Sequence, residues 1–363
     1  VSPSSFKPGQ LWLDTSGAPI NAHGGGLLFH AGVHYWFGQH MVAGPAGNTA
    51  QVGVHVYRST DLLNWTDAGI ALAVSDDPAS EIARGCVLER PKVVYSPRTG
   101  RFVMWFHLEW RADAGSYASA RSAVAVADRP AGPYRFVRSL RPNAGHWPLD
   151  VRPEQRDPAS IARARFHPAD FHGGENPVVP TLNILGRDHE GGQQARDMTV
   201  FEDEDGAAYH VYASEHNSTL HVAELAPDRE AHTGRFARAF EHRWMEAPAL
   251  FRHGGACYLL ASGCTGWAPN AARSARAPHP FGPWTELGNP CLGVNPANGL
   301  GPELTWGMQS SFIYRPPSHP SVQIALFDQW TPGQPDHARH AWLPVEVQGD
   351  RFQIRWRDAW RLP

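Results

Sequence analysis

Cysteine is scarce in this 363-residue chain, and the four present (Cys86, Cys257, Cys264 and Cys291) show no Cys-x-x-Cys spacing. That excludes a zinc ribbon, a thioredoxin-type redox motif and a disulfide-built scaffold. Two readings stay open for them: one bridge, Cys264 to Cys291, in an exported protein, or simple burial, which cysteine favours. Long apolar runs are also missing, since no stretch approaches the roughly eighteen residues a transmembrane helix needs. Nor is there an excess of positive charge: 32 basic against 35 acidic side chains leave a net charge of -3. No overall field exists to hold nucleic acid or an anionic membrane, so neither is expected as a partner and a neutral one is. The start, Val1-Ser2-Pro3-Ser4-Ser5, has neither a Met nor a signal-peptide pattern, and a trimmed N-terminus is expected.

Turn formers, by contrast, are abundant. With 35 Gly, 32 Pro, 42% hydrophobic and 11% aromatic residues, the chain reads as a large core crossed by many turns. A single figure recurs five times: an apolar pair, a polar bend and an aromatic-rich strand. It begins at Leu27, Val93, Thr199, Ala249 and Ser311, as in Leu27-Leu28-Phe29-His30-Ala31-Gly32-Val33-His34-Tyr35-Trp36-Phe37. Each reads as a hairpin. A second strand pair follows each one, at 52–66, 122–137, 219–236, 272–287 and 340–356. Two hairpins make a four-stranded blade, so the fold expected over 1–363 is all-β, one five-bladed β-propeller rather than a β-sandwich. The longest gap, between the second and third repeats, marks an insertion at about 140–194, rich in Pro, His, Arg and Gly, with weak strand signals at 178–185.

Inner strands line the axis of a propeller, so polar residues just ahead of each first strand should converge on one funnel. His23, Glu89, Glu246 and Gln309 each stand four residues ahead of an apolar strand residue, and Asp197 stands three ahead of Val200. Carboxylates gathered in a neutral, aromatic-rich funnel suit glycoside hydrolysis, which needs a protonated acid for the leaving oxygen and a second group for water or nucleophilic attack. Glu246 lies in an apolar run where desolvation would raise its pKa, and a nearby Asp197 anion would raise it further. Glu246 is therefore the expected acid and Asp197 its modulator, the competing reading for Asp197 being a salt bridge to Arg196 or another base. Among Trp36, Trp105, Trp110, Trp267, Trp306 and Trp330, one or two are expected to offer sugar-stacking faces and the rest to be core.

The strings from Arg196 to Gly206, Glu246-Ala247-Pro248-Ala249-Leu250-Phe251, Ser262 to Asn270 and Ser59 to Trp65 resemble glycoside hydrolase family 43 over nearly the whole chain. Within that family the resemblance is strongest to the exo-β-1,3-galactanase branch, through Asn21-Ala22-His23-Gly24-Gly25-Gly26, Leu88-Glu89-Arg90-Pro91-Lys92 and Gln309-Ser310. It implies a five-bladed propeller, inversion of the anomeric centre, Glu246 as general acid and Asp197 as the aspartate that tunes and orients it. The usual blade-one aspartate base is replaced here by His23 and three glycines, as in that branch. There the counterpart of Gln309 positions or activates water, and that of Glu89 lies in the sugar site. Gln39 stands where relatives often carry Glu. The resemblance places His23, Gln39, Tyr117, Glu215, Thr265 and Asn270 at the sugar, with Trp105 and Trp267 as candidate stacking faces.

Other constellations are weaker. His167, Asp170 and His172, or His337 and His340, could cluster on a metal, but no HExxH is present and 20 histidines make such groupings common. Members of the family sometimes carry a structural calcium at the channel centre; no dedicated loop for one stands out, so no cofactor and no metal is expected. Gly24-Gly25-Gly26 precedes a hairpin rather than a helix, and its expected role is close approach of the chain to the funnel, not phosphate binding. The expected function is an inverting exo-glycosidase removing terminal galactose from β-1,3-galactan or arabinogalactan side chains, secreted or periplasmic, with an oligosaccharide or polysaccharide as partner. The alternatives are an α-L-arabinofuranosidase, β-xylosidase or galactofuranosidase on the same scaffold, or a sugar-binding propeller without catalysis.

Overall fold

The computed structural model of the chain describes residues 4–165 and 174–363. Twenty strands fall into five antiparallel four-stranded sheets, and a short extra strand, Cys291–Leu292, joins the fifth in parallel. Blade one comprises His23–His30, Val33–His40, Gly53–Ser59 and Thr66–Ala73; blade two, Val87–Ser96, Arg101–Glu109, Arg121–Ala127 and Arg135–Leu140. Blade three comprises Met198–Glu202, Ala208–Ser214, Thr219–Leu225 and His232–Ala239; blade four, Met245–His253, Ala256–Gly263, Arg273–Ala277 and Thr285–Gly288. Blade five comprises Gln309–Tyr314, Gln323–Gln329, Arg339–Gln348 and Arg351–Arg355. The first strands of neighbouring blades touch all round, the fifth against the first, so the ring closes as the five-fold repeat predicts.

Alternation along each strand builds that ring. Successive strand side chains point to opposite faces, and in Arg101–Glu109 this sends Phe102, Met104 and Phe106 into the core shared with blade one. Val103 and Trp105 go into the core shared with blade three. Each of the five blade interfaces has its own apolar cluster of this kind. The last, between blades five and one, gathers Phe6, Trp36, Trp65, Trp342 and Trp360, and ties both chain ends through Phe6 N–H to Trp360 O at 2.9 Å.

Two boundaries differ from expectation. The outer strand of blade one runs Thr66–Ala73 rather than ending at 66, because the Asp61 carboxylate accepts the Leu63 and Asn64 N–H groups and makes 59–65 a turn. The insertion carries no strand at 178–185: a 3-10 turn at Val179–Thr181 and a helical turn at Ile184–Arg187 stand there. Pro180 lacks an N–H for a sheet ladder, and the Asn183 side chain caps the turn by accepting from Gly186 N–H at 2.9 Å. All four cysteines are free and buried, so the Cys264–Cys291 bridge is not formed.

What positions the site is a repeated irregularity at the top of the inner strands. The pairing register slips between His23 and Gly26, Glu89 and Lys92, Glu246 and Ala249, and Ser310 and Phe312. Each is a bulge, which turns the residues above it away from the alternation below. Gly24, Arg90 and Ala247 take up positive φ there (62°, 56° and 51°). The glycine run in blade one is needed for close approach as well: a Cβ on Gly25 would lie 1.5 Å from the Phe37 carbonyl oxygen. Because that contact is backbone, nothing can swing aside. Gly25→Ala is expected to cost at least the roughly 3 kcal/mol upper end of ordinary overpacking, read as a lower urea midpoint; unchanged unfolding would contradict the contact.

Candidate active site

At the bulged end of the ring lies a cavity of about 250 Å³ lined from all five blades. Blade four contributes Glu246, blade three Asp197 from just before its first strand, blade two Glu89 and Arg90, blade one His23 and Gly24, and blade five Gln309. Tyr117, Gln39, Asn48, Trp267 and Asn270 line it from other strands and loops.

Glu246 is surrounded so that one oxygen is spoken for. Its Oε1 accepts from the Cys264 thiol at 3.1 Å and the Asn217 amide at 3.2 Å. A carboxyl proton is thus left to Oε2. Burial, reinforced by the Asp197 anion, pushes Glu246 up to about 8, so it is protonated at neutral pH. Asp197 in turn is fixed by two donors. Its Oδ2 accepts the Ala247 N–H at 3.0 Å and meets the Arg90 guanidinium at 3.0 Å. Because Ala247 directly follows Glu246, that bond also sets the backbone carrying the acid.

Arg90 reaches across the axis. Besides Asp197, it donates to Gln309 Oε1 and to the Ser310 carbonyl at 3.0 Å, so one side chain from blade two ties blades three and five. Although burial opposes its charge, the Asp197, Asp328 and Glu89 carboxylates hold its pKa above the usual guanidinium value. Gln309 is locked between two partners, its Nε2 donating to Ser262 Oγ at 2.8 Å while Ser262 donates onward to Gly263 O at 2.9 Å. Glu89 accepts from Asn48 Nδ2 at 2.6 Å and Tyr117 O–H at 3.2 Å through Oε1, and from His107 Nδ1–H at 2.8 Å through Oε2. At the mouth Trp267, about half exposed, stacks on Trp330 with centroids 3.8 Å apart.

Nine of the twelve site residues expected from sequence meet in this cavity: Glu246, Asp197, Gln309, Glu89, His23, Gln39, Tyr117, Trp267 and Asn270. Three do not. Trp105 is fully buried between blades two and three, its indole N–H donating to Arg229 O, because strand alternation turns it sideways. Glu215 is buried in ion pairs with Arg238 and His221. Thr265 braces the loop carrying Trp267, its hydroxyl donating to Ala268 O at 2.6 Å and accepting from Asn270 at 2.8 Å. Further lining residues outside those twelve include Arg90, Asn48, His107, Asn217, Ser262 and Asp328, together with Trp330, one of the tryptophans among which a stacking face was expected. Arg90 sits beside Glu89 in Leu-Glu-Arg-Pro-Lys and could have been found there. Asn48 and Asn217 come from turns whose sequence carries no such signal. Of the remaining tryptophans, Trp36 and Trp306 are core and Trp110 is exposed outside the cavity.

The residues at the axis do not fit a calcium ion. Arg90's guanidinium lies among the carboxylates, and below it Lys92 Nζ donates to the carbonyls of Gly24 at 2.9 Å and Arg90 at 3.3 Å. Among the described residues Glu89, His107 and Asp197 bring ligand-type atoms within 4.8 Å of one another. Arg90 and His107 already partner those carboxylates, so the group reads as an ion network. His167, Asp170 and His172 lie outside the described residues; His340 instead bonds Asp328 at 2.6 Å, and His337 is on the surface. No described helix is long and apolar enough to cross a membrane.

Comparison with known proteins agrees with this geometry. The family model for glycosyl hydrolases family 43 matches residues 181–299. Among solved structures, the family 43 β-1,3-galactosidase BT3683 with galactodeoxynojirimycin is 43% identical, with a TM-score of 0.87, over 98% of this chain and 100% of that one. An exo-β-1,3-galactanase from Clostridium thermocellum is 31% identical with a TM-score of 0.76, over 98% of this chain and 66% of that one. One from Phanerochaete chrysosporium with galactose is 26% identical with a TM-score of 0.76, over 99% and 69%. No curated protein sequence matches the chain. With this degree of identity along essentially its whole length, the chain belongs to glycoside hydrolase family 43.

Proposed function

We propose that this family 43 enzyme is an inverting exo-β-1,3-galactosidase that removes terminal galactose from β-1,3-galactan, including the galactan of arabinogalactans. The observation that carries the reading is Glu246, protonated at neutral pH and held by Asp197 through the next peptide N–H, in a cavity small enough for about one terminal sugar. Its volume falls below the roughly 300–1,000 Å³ typical of larger ligands, which favours cleavage from a chain end. The choice of galactose rests on the similarity to β-1,3-galactosidases and exo-β-1,3-galactanases.

In this mechanism Glu246 Oε2–H protonates the glycosidic oxygen as the C–O bond breaks, leaving a carboxylate that the Arg90 cation helps stabilise. Water attacks the anomeric carbon from the opposite face. Gln309 is a poor base, being a neutral amide whose oxygen already accepts from Arg90, and it orients the water. Glu89, the carboxylate that His107 and Asn48 hold below the usual range despite its burial, takes the water's proton. His23, Gln39, Tyr117 and Asn270 bind the sugar, with Trp267 on Trp330 as the platform for the next residue of the chain. Substrates of this kind lie outside cells, which supports a secreted or periplasmic setting.

Three outcomes are expected. Proton NMR of β-1,3-galactobiose hydrolysis should show α-galactose as the first product; β-galactose first would contradict inversion, and activity confined to arabinofuranosides, xylosides or galactofuranosides would overturn the substrate. The ratio kcat/KM should fall as pH rises through about 8, because Glu246 loses its proton there; a profile still flat at pH 9 would contradict its role as acid. Glu246→Gln should lower kcat by about 10²–10⁴ while still binding sugar. Full activity in that variant would remove Glu246 from the mechanism.

A further inference from the structure

Behind Glu89 runs a chain of buried side chains, beginning with His107 at the cavity wall, whose charge state the reaction as described leaves unassigned. His107, opposite Glu89 on the next strand of the same blade, has both ring nitrogens on carboxylates: Nδ1 faces Glu89 Oε2 at 2.8 Å and Nε2 faces Glu109 Oε1 at 2.7 Å. His107 is 1% exposed and Glu109 is fully buried. A neutral imidazole has one N–H, so two hydrogen bonds to two carboxylates require an additional proton. That proton has three possible homes. Glu109 Oε2 accepts the Ala120 N–H at 2.8 Å, and the Arg196 guanidinium lies 3.9 Å from Oε1, both of which favour the anion. Glu89 Oε1 accepts from Asn48 and Tyr117. With both carboxylates supplied by other donors, the imidazole is left to carry it.

We propose that Glu109 and His107 are positioning residues: Glu109 keeps His107 as an imidazolium, and that cation holds Glu89 ionised and aimed at the sugar site. The other groups facing this chain fit the assignment. Arg90 also attracts Glu89, whereas Asp197, within 4.8 Å, opposes its charge, as does Glu246 once it has given up its proton, so Glu89 needs a cation of its own. Tyr117 packs its ring 5.8 Å from His107 and supplies no charge. Burial alone would keep His107 neutral, but hydrogen bonds to Glu109 and Glu89 push it up to about 9. The imidazolium thus persists across the range where the enzyme is expected to work.

The inference rests on the reading that Glu89 acts as an anion in the glycosidase site, which Glu89→Gln tests separately. Glu109→Gln keeps the shape but removes the charge that fixes His107. Glu89 should then protonate more readily, moving the acidic limb of kcat/KM on β-1,3-galactobiose upward by about one to three pH units, with the alkaline limb near 8 unmoved. The drop should fall on kcat more than on KM. His107→Gln, which retains a donor to Glu89 without the charge, should move the same limb in the same direction, and nitrogen NMR of the parent should show His107 protonated on both nitrogens at pH 7. Folded variants whose pH profiles superimpose on the parent's, or a singly protonated His107 at pH 7, would overturn the proposal. If Glu89→Gln is fully active, the reading of Glu89 fails and the proposal with it. If Glu89→Gln is inactive while the acidic limb stays put in the other two variants, only the proposal fails.

Discussion

A single guanidinium bonds across the site. Arg90 leaves its strand at a bulge, in left-handed backbone, and reaches Asp197 of neighbouring blade three and, across the axis, Gln309 and Ser310 of blade five. Three blades are thereby held in one arrangement by one buried charge. Without it, Asp197 would keep only the Ala247 N–H in a cavity that already contains Glu89 and Glu246, and a buried unpaired charge is among the costlier defects a fold can carry. Arg90 also lets the site keep two carboxyl groups in opposite states. Glu246 stays protonated while Glu89 stays ionised, because the positive charges, Arg90 and His107, are placed on the Glu89 and Asp197 side. Carboxyl groups pushed apart in this way are what an acid and a water-directing partner require.

The scaffold makes that arrangement possible by separating two jobs along the inner strands of blades one, two, four and five, while blade three places Asp197 just ahead of its first strand. Below the bulge, residues alternate into the apolar clusters between blades and close the ring. Above it, the bulge breaks the alternation and points polar side chains to the axis. The described part of the insertion contributes from behind rather than at the cavity wall. Val179 and Ile184 pack with Trp244 and Cys264, so the thiol that donates to Glu246 is itself backed by the inserted segment.

Much of this was legible in the sequence because propellers repeat. Period-two patterning and turn residues mark the hairpins, and comparing the same offset in each repeat finds His23, Glu89, Glu246 and Gln309, all of which meet in the cavity. In blades one, two and four the offset has a cause: His23, Glu89 and Glu246 are the last paired residues before the bulge, and pairing resumes three residues on, one before the apolar residue. Trp105 shows where pattern reading stops, since an aromatic one position along a strand faces a blade interface rather than the axis. Glu215 and Thr265 lie beside the site and act through other residues, which motif position alone does not reveal. Asn48, Asn217 and the His107–Glu109 chain depend on contacts between segments far apart in sequence, and local patterns carry no trace of them.

The central claim is that burial and Asp197 keep Glu246 protonated in the resting enzyme. Infrared difference spectra between the parent and Glu246→Gln, taken from pH 6 to 9, would observe that carboxyl directly and without substrate. A carboxylic acid band present at pH 7 and lost around pH 8 is the expected result. A carboxylate already present at pH 6 would contradict the account of the acid, whatever sugar the enzyme cleaves.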